Sequence, residues 1–62
     1  MWAIVYMCHS QTDAESAKRT LEKEGLLVKI RKVGKEEDKV YEILVPKEEI
    51  EDAHEVLSET VY

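Results

Sequence analysis

Three stretches of the chain have the hydrophobic patterns of β-strands. The first, WAIVYMC over residues 2–8, is uncharged and rich in β-branched and aromatic residues, as in a strand buried on both faces. The second, LLVKIRKV over residues 26–33, and the third, KVYEILV over residues 39–45, alternate between apolar and polar positions, as half-buried strands do. The charged turn GKEED over residues 34–38 separates the last two. We therefore predict three strands, the second and third forming a hairpin.

A first helix is predicted between the first two strands. Its apolar positions recur every three or four residues, at Ala14, Ala17 and Leu21. Thr12 followed by Glu15 has the spacing of a capping box, in which each side chain bonds the other residue's amide. Gly25 stands where a left-handed residue commonly ends a helix. The pattern predicts a helix from about Asp13 to Glu24.

A second helix is predicted after Pro46, which cannot donate to a strand ladder and whose fixed φ suits the start of a helix. Glu48 and Glu49 lie where the positive end of the helix dipole favours carboxylates. The apolar positions with helical spacing are Ile50, Ala53, Leu57 and Val61.

The order β-α-β-β-α predicts a single α+β domain over residues 1–62. A crossover through a helix makes the first two strands parallel, and the short turn makes the second and third antiparallel. The third strand can insert between the other two, or the second can be central. We favour insertion, which gives a truncated ferredoxin-like sandwich lacking its last strand. Its three-stranded mixed sheet would carry both helices on one face.

The first strand lies at a sheet edge in either arrangement, and it has no charge or proline to discourage pairing. Strict alternation places Trp2, Ile4, Tyr6 and Cys8 on one face. The candidate interface residues, on the opposite, helix-free face, are Ala3, Val5, Met7, Leu27 and Leu44. We expect a homodimer, or another protein partner, on this edge or face, because small cores often need oligomerisation. The alternative is that Tyr62 and the tail fold over the edge.

Charge and composition exclude several classes of protein. The chain has 62 residues and a net charge of −5, and the acidic excess lies entirely after Pro46. Acidic segments repel phosphate backbones, so we do not expect nucleic-acid binding. No stretch approaches the roughly 18 apolar residues of a membrane span. The single cysteine cannot form an internal disulfide, which suits a cytoplasmic protein.

Three stretches also resemble a known family. WAIVYMC, LEKEGLLVKI and YEILVPKEEIEDAHEVL are similar to short prokaryotic signal-transducing domains of unknown function. The resemblance covers nearly the whole chain and implies a ferredoxin-like fold, distantly similar to nitrogen-regulatory signalling proteins, and a regulatory role. Some similar short chains have been labelled glutamate decarboxylase. A pyridoxal enzyme needs an enclosing pocket, which three strands and two helices cannot provide.

Candidate chemistry is sparse. Lys29 and Arg31, with His9 and Ser10 near the start of the first helix, are the candidate ligand-binding residues for a small anion or metabolite. Cys8 is a less favoured candidate for thiol-based redox activity. We predict no catalytic residues, no metal site and no cofactor. The sequence favours a non-enzymatic regulatory or protein-interaction module, with anion sensing as the alternative.

Overall fold

The structure, a computed structural model, describes residues 1–59, so the roles predicted for Val61 and Tyr62 lie outside the described residues. The α+β class is confirmed, and the elements follow one another in the order β-α-β-β-α. They are β1 (Trp2–Cys8), α1 (Gln11–Lys23), β2 (Lys29–Lys35), β3 (Asp38–Pro46), a 3-10 turn (Lys47–Glu49) and α2 (Ile50–Glu59).

The strand order of the sheet is β1-β3-β2, so β3 is inserted between the other two strands as we favoured. Both β1 and β2 pair with β3 in the antiparallel sense. They run in the same direction, but β3 separates them and no parallel ladder forms between them. The prediction of a mixed sheet was therefore wrong, and the three-stranded sheet is antiparallel.

The start of α1 also differs from the prediction. Ser10, not Thr12, is the N-cap, because its side chain accepts a hydrogen bond from the amide of Asp13 at 3.3 Å. The first helical hydrogen bond runs from the amide of Ala14 to the carbonyl of Ser10 at 3.0 Å. The helix consequently begins at Gln11, two residues earlier than predicted.

The end of α1 is a Schellman motif centred on Gly25, which has a φ of +84°. The amide of Gly25 donates to the carbonyl of Glu22 at 3.0 Å, and the amide of Leu26 donates to the carbonyl of Leu21 at 3.3 Å. Because Leu26 completes this motif, β2 begins only at Lys29 and not at residue 26 as predicted.

The hairpin between β2 and β3 is tighter than the predicted five-residue turn. Lys35 pairs with Asp38, so only Glu36 and Glu37 lie between the strands. Gly34 belongs to the ladder, opposite Lys39.

The core lies between the sheet and both helices. Its fully buried helical residues are small, apart from Leu21, so that the helices approach the sheet closely. Both helices pack against the same face of β3. The buried cluster consists of Ala14, Ala17, Leu21, Tyr41, Ile43, Val45 and Ala53. In residues 1–59, no helix has the length and apolarity needed to cross a membrane.

Candidate protein-binding surface

The sheet has one covered face and one face without helices, which we call the open face. Paired residues of an antiparallel ladder project on the same side of the sheet. Each residue of β1 or β2 therefore lies on the same side as its partner in β3. Tyr41, Ile43 and Val45 point to the helices. The residues of β3 that alternate with these three lie on the open face, together with the residues of β1 and β2 that pair with them. Its central residues are Trp2, Ile4, Met7, Lys29, Arg31, Val33, Val40, Glu42 and Leu44.

A β-bulge at Val5 determines which residues of β1 reach the open face. Ile4 pairs with Leu44 and Tyr6 pairs with Ile43, the next residue of β3, so Val5 is an extra residue. A bulge of this kind interrupts alternation. Val5 consequently packs against the core cluster, on the same side as Tyr6.

The bulge makes the predicted alternation of β1 wrong in its first half. Trp2 and Ile4 were expected on the face of Tyr6 and Cys8, but they lie on the open face. Ala3 pairs with the buried Val45 and so lies on the helix side, as Val5 does. Met7 lies on the open face as expected, opposite Glu42.

Four large apolar side chains of the open face are strongly exposed. Trp2, Ile4, Met7 and Val33 have relative exposures between 43% and 54%. Three of them come from β1, at one edge, and Val33 comes from β2, at the other. The open face therefore presents apolar side chains on both sides of β3.

Leu44, at the centre of the open face, is only 5% exposed. Lys29 lies opposite Leu44 in the ladder, and its Nζ is 5.4 Å from the centroid of the Trp2 ring. Since β3 separates the strands of Lys29 and Trp2, their side chains meet above it. Leu44 thus lies between its ladder partners Ile4 and Lys29, and the ammonium group of Lys29 gains a cation-π contact with the indole.

The charges of the open face are largely balanced within it. Nε and Nη2 of Arg31 both lie 2.6 Å from Oε1 of Glu42, its ladder partner. The Glu42 side chain is 12% exposed and that of Arg31 56%. Lys35 and Asp38, which have opposite charges, are ladder partners at the hairpin end. Lys29 is left as the excess positive charge of this face, although the chain as a whole is acidic.

The four predicted ligand-binding residues do not converge on one site. Lys29 and Arg31 lie on the open face, where they contact Trp2 and Glu42. His9 lies beyond the end of β1, with its Nδ1 3.3 Å from the carbonyl oxygen of Lys39. Ser10 caps α1. The side chains of all four already contact groups of the protein itself.

The predicted interface residues are divided between the two sides of the sheet. Met7 and Leu44 lie on the open face, whereas Ala3 and Val5 lie on the helix side. Leu27 is 66% exposed and precedes β2. Trp2, Ile4 and Val33 were not among the predicted interface residues. The alternation of Val33 with Lys29 and Arg31 could have revealed its position, but the bulge that reorients Trp2 and Ile4 left no comparable signal.

Cys8 is half-buried and packs against the core cluster. Its Sγ lies 3.4 Å from the carbonyl oxygen of Ser10, to which it donates. Across residues 1–59, no group of three or more histidine, cysteine, aspartate or glutamate residues could hold a metal ion.

Two shallow hollows lie beside the helices, with volumes of about 170 and 290 Å³. The smaller one is lined by Glu24, Leu26, Asp52, Glu55 and Val56. Small-molecule sites usually bury most of the surface of their ligand, whereas both hollows are broadly open to solvent. Compared with these two hollows, the open face is the stronger candidate for a functional surface.

Comparison of the chain with models of protein families, with curated proteins and with solved structures found no match in any of the three.

Proposed function

We propose that this chain is a small non-enzymatic regulatory module that acts through protein-protein contact, and that it associates with a second copy of itself. The observation that carries the proposal is the set of exposed apolar side chains on the open face, Trp2, Ile4, Met7 and Val33. The strand order, with both helices on one side, supports a truncated ferredoxin-like architecture. The lone Cys8 suits a cytoplasmic setting.

The dimensions of the sheet give the size of the proposed contact. Three strands about 4.8 Å apart, each about seven residues long at about 3.3 Å per residue, form a face of roughly 330 Å². Soluble monomers rarely expose contiguous apolar patches larger than a few hundred Å². The open face has an area of that order, but charged residues occupy part of it. Its coverage by another protein removes the exposed apolar side chains from water.

Association would compensate for the small hydrophobic core of the chain. Domains near 60 residues bury only about 60% of the surface of the unfolded chain. The largest side chains that are completely buried in the described part of the chain are Leu21, Ile43 and Val45. One cysteine cannot add an internal disulfide. Oligomerisation is the remaining common way to enlarge such a core.

The charge distribution limits the ways in which two copies can approach each other. Two chains of net charge −5 repel each other overall. The open face carries Lys29, Arg31 and Lys35 against Asp38 and Glu42, so it is slightly basic. Two copies can bring their open faces together while their acidic second helices remain on the outside.

The proposed association is weak. Two open faces bury roughly 700 to 1,000 Å² in total when the surface of the projecting side chains is included. A stable interface buries about 1,200–2,000 Å². We expect a dissociation constant in the micromolar range or above, and therefore a dimer that forms only at high protein concentration.

Sedimentation velocity over a concentration series tests the proposal. We expect the apparent mass to rise from 7.2 kDa toward twice that value as the concentration increases through the micromolar range. A single 7.2 kDa species at every concentration would refute the proposed self-association.

A further inference from the structure

We infer that the outer edge of β2 binds an extended acidic segment of another protein, which adds to the sheet as a further strand. This surface, which we call the β2 edge, consists of the outward backbone groups of Lys29–Lys35 and the side chains that flank them. The inference rests on the proposed role of the chain as a protein-interaction module. It concerns a different surface from the open-face contact proposed for two copies.

The β2 edge is a regular strand with a free side. Within residues 1–59, β2 pairs only with β3, so its other side presents amides and carbonyls that an added strand can bond. Its ladder with β3 runs from Lys29 to Lys35 without a register shift. At the opposite edge of the sheet, the bulge at Val5 interrupts β1. The β2 edge is therefore the longer regular template for another strand.

The charge of β2 is opposite in sign to that of the whole chain. The strand has four basic residues and no acidic one, although the chain has a net charge of −5. Arg31 is paired with Glu42, but Lys32 and Lys35 form no ion pair within the described part of the chain. An acidic strand beside β2 would place carboxylates opposite these ammonium groups, and cross-strand pairs of opposite charge are stabilising.

The same charges determine which strand can be added. Lysine at a sheet edge discourages pairing between copies, because a second β2 would place like charges opposite each other. An acidic segment converts this repulsion into attraction, so the β2 edge discriminates by charge between its own copy and the partner. For this reason we assign the edge to another protein and not to a second copy.

A hollow beside the β2 edge can receive a side chain of the added strand. Ile30, which packs against the core cluster, lines the larger hollow, of about 290 Å³. The remaining lining residues belong to α1 and are Glu15, Lys18, Arg19 and Glu22. Because an added strand projects every second side chain to this side of the sheet, an apolar residue opposite Ile30 would extend the core into the hollow. Main-chain hydrogen bonds then provide affinity and the hollow provides specificity, as is usual in strand addition.

The alternation of β2 defines the sequence pattern of the partner segment. Lys29, Arg31, Val33 and Lys35 project to the open face, whereas Ile30 and Lys32 project to the helix side. The matching strand has a carboxylate opposite each basic residue and an apolar side chain opposite Ile30 and Val33.

A synthetic peptide with this pattern tests the inference. It carries glutamate opposite each basic residue of β2, valine opposite Ile30 and Val33, and serine opposite Gly34, and it is made in both chain directions. A scrambled peptide of the same composition is the control. Amide hydrogen exchange of the full chain is followed by NMR. We expect the matched peptide alone to slow exchange at every second residue of β2, because an added strand bonds the outward amides.

A charge reversal locates the contact. Lys32→Glu, at an exposed position, should lower the affinity for the matched peptide by about tenfold. A peptide with lysine at the facing position should restore it. Lys47→Glu makes the same change of charge at a residue whose amide bonds Met1, beside the other edge of the sheet, and should alter the affinity by less than about twofold. Circular dichroism verifies folding. If Lys32→Glu fails to fold, Arg19→Glu at the hollow replaces it.

Three results would overturn the inference. The first is unchanged exchange of the β2 amides at millimolar peptide concentration. The second is equal binding of the scrambled peptide, or of a short oligothymidylate of the same charge, since the edge would then respond to charge alone. The third is protection of the β2 amides that rises with chain concentration without peptide, which would assign the edge to a second copy.

Sedimentation velocity separates this inference from the proposed self-association. A chain that self-associates but does not bind the matched peptide would refute only the role of the β2 edge. A chain that binds the peptide but stays monomeric at every concentration would refute only the self-association.

Discussion

Gly34 allows the hairpin between β2 and β3 to close through only two residues. Lys35 pairs with Asp38 across the turn formed by Glu36 and Glu37. Neither turn residue has a positive φ, so the turn is not one of the types whose twist matches the flanking strands. Gly34, one residue before the pair, has a φ of +101°. We infer that this glycine supplies the twist that the turn lacks, and we predict that Gly34→Ala is strongly destabilising.

The magnitude follows from two penalties. A side chain at a positive φ costs about 1–2 kcal/mol. A Cβ at Gly34 would lie 2.4 Å from the backbone oxygen of Asp38, and such overpacking typically adds about 1–3 kcal/mol. Gly25→Ala is the matched control, since Gly25 has a φ of +84° and a Cβ there meets nothing within 4 Å. We expect a loss of about 2–5 kcal/mol for Gly34→Ala and about 1–2 kcal/mol for Gly25→Ala.

Urea and thermal unfolding followed by circular dichroism measure both losses. A chain of 62 residues has a total stability of about 3–9 kcal/mol, and each kcal/mol shifts the Tm by about 4–8 °C. Gly34→Ala should therefore remove much of the folded population, whereas Gly25→Ala should remain folded at room temperature. If Gly34→Ala costs no more than Gly25→Ala, the close approach of Asp38 does not constrain the hairpin and the reasoning is refuted.

Three further predictions concern the helix cap, the core and the ion pair, each measured by urea unfolding. Ser10→Ala should lower the free energy of unfolding by about 1 kcal/mol, with Thr12→Ala nearly neutral; equal losses would contradict the assignment of the cap. Leu21→Ala should cost about 2–5 kcal/mol because Leu21 is fully buried; a loss under about 1 kcal/mol would be inconsistent with that burial. Glu42→Gln should cost less than about 1 kcal/mol, since Arg31 is largely exposed. That loss should shrink in about 1 M salt. A loss that does not change with salt concentration would contradict an electrostatic origin.

Regular elements could be predicted from the sequence where one physical pattern dominated. The alternation of β3 correctly placed Leu44 on the helix-free face, opposite to the buried Tyr41, Ile43 and Val45, because a central strand pairs on both edges and has little freedom to deviate. Gly25 was correctly identified as the end of α1, because a left-handed residue is needed there and glycine adopts that conformation without strain.

The irregular features could not be predicted in this way. Val5 bulges in the middle of an apolar run, and no glycine, proline or polar residue marks the place. The two possible caps of α1 have the same spacing, since Ser10 precedes Asp13 as Thr12 precedes Glu15. Only the packed structure selects between them. The candidate surface was therefore predicted in outline, but of the β1 residues assigned to it only Met7 lies there, and Ala3 and Val5 lie on the helix side.

The long-range position of β1 links the stability of the fold to the concentration of the chain. The hairpin of β2 and β3 closes locally, but Trp2 pairs with Pro46, far along the sequence, and such non-local pairing has a larger loop-closure cost. β1 is therefore the strand we expect to join the sheet last and to detach first. If β1 also contributes most of the surface that a second copy covers, association holds it in place, and the apparent stability of the protein rises with its own concentration by mass action.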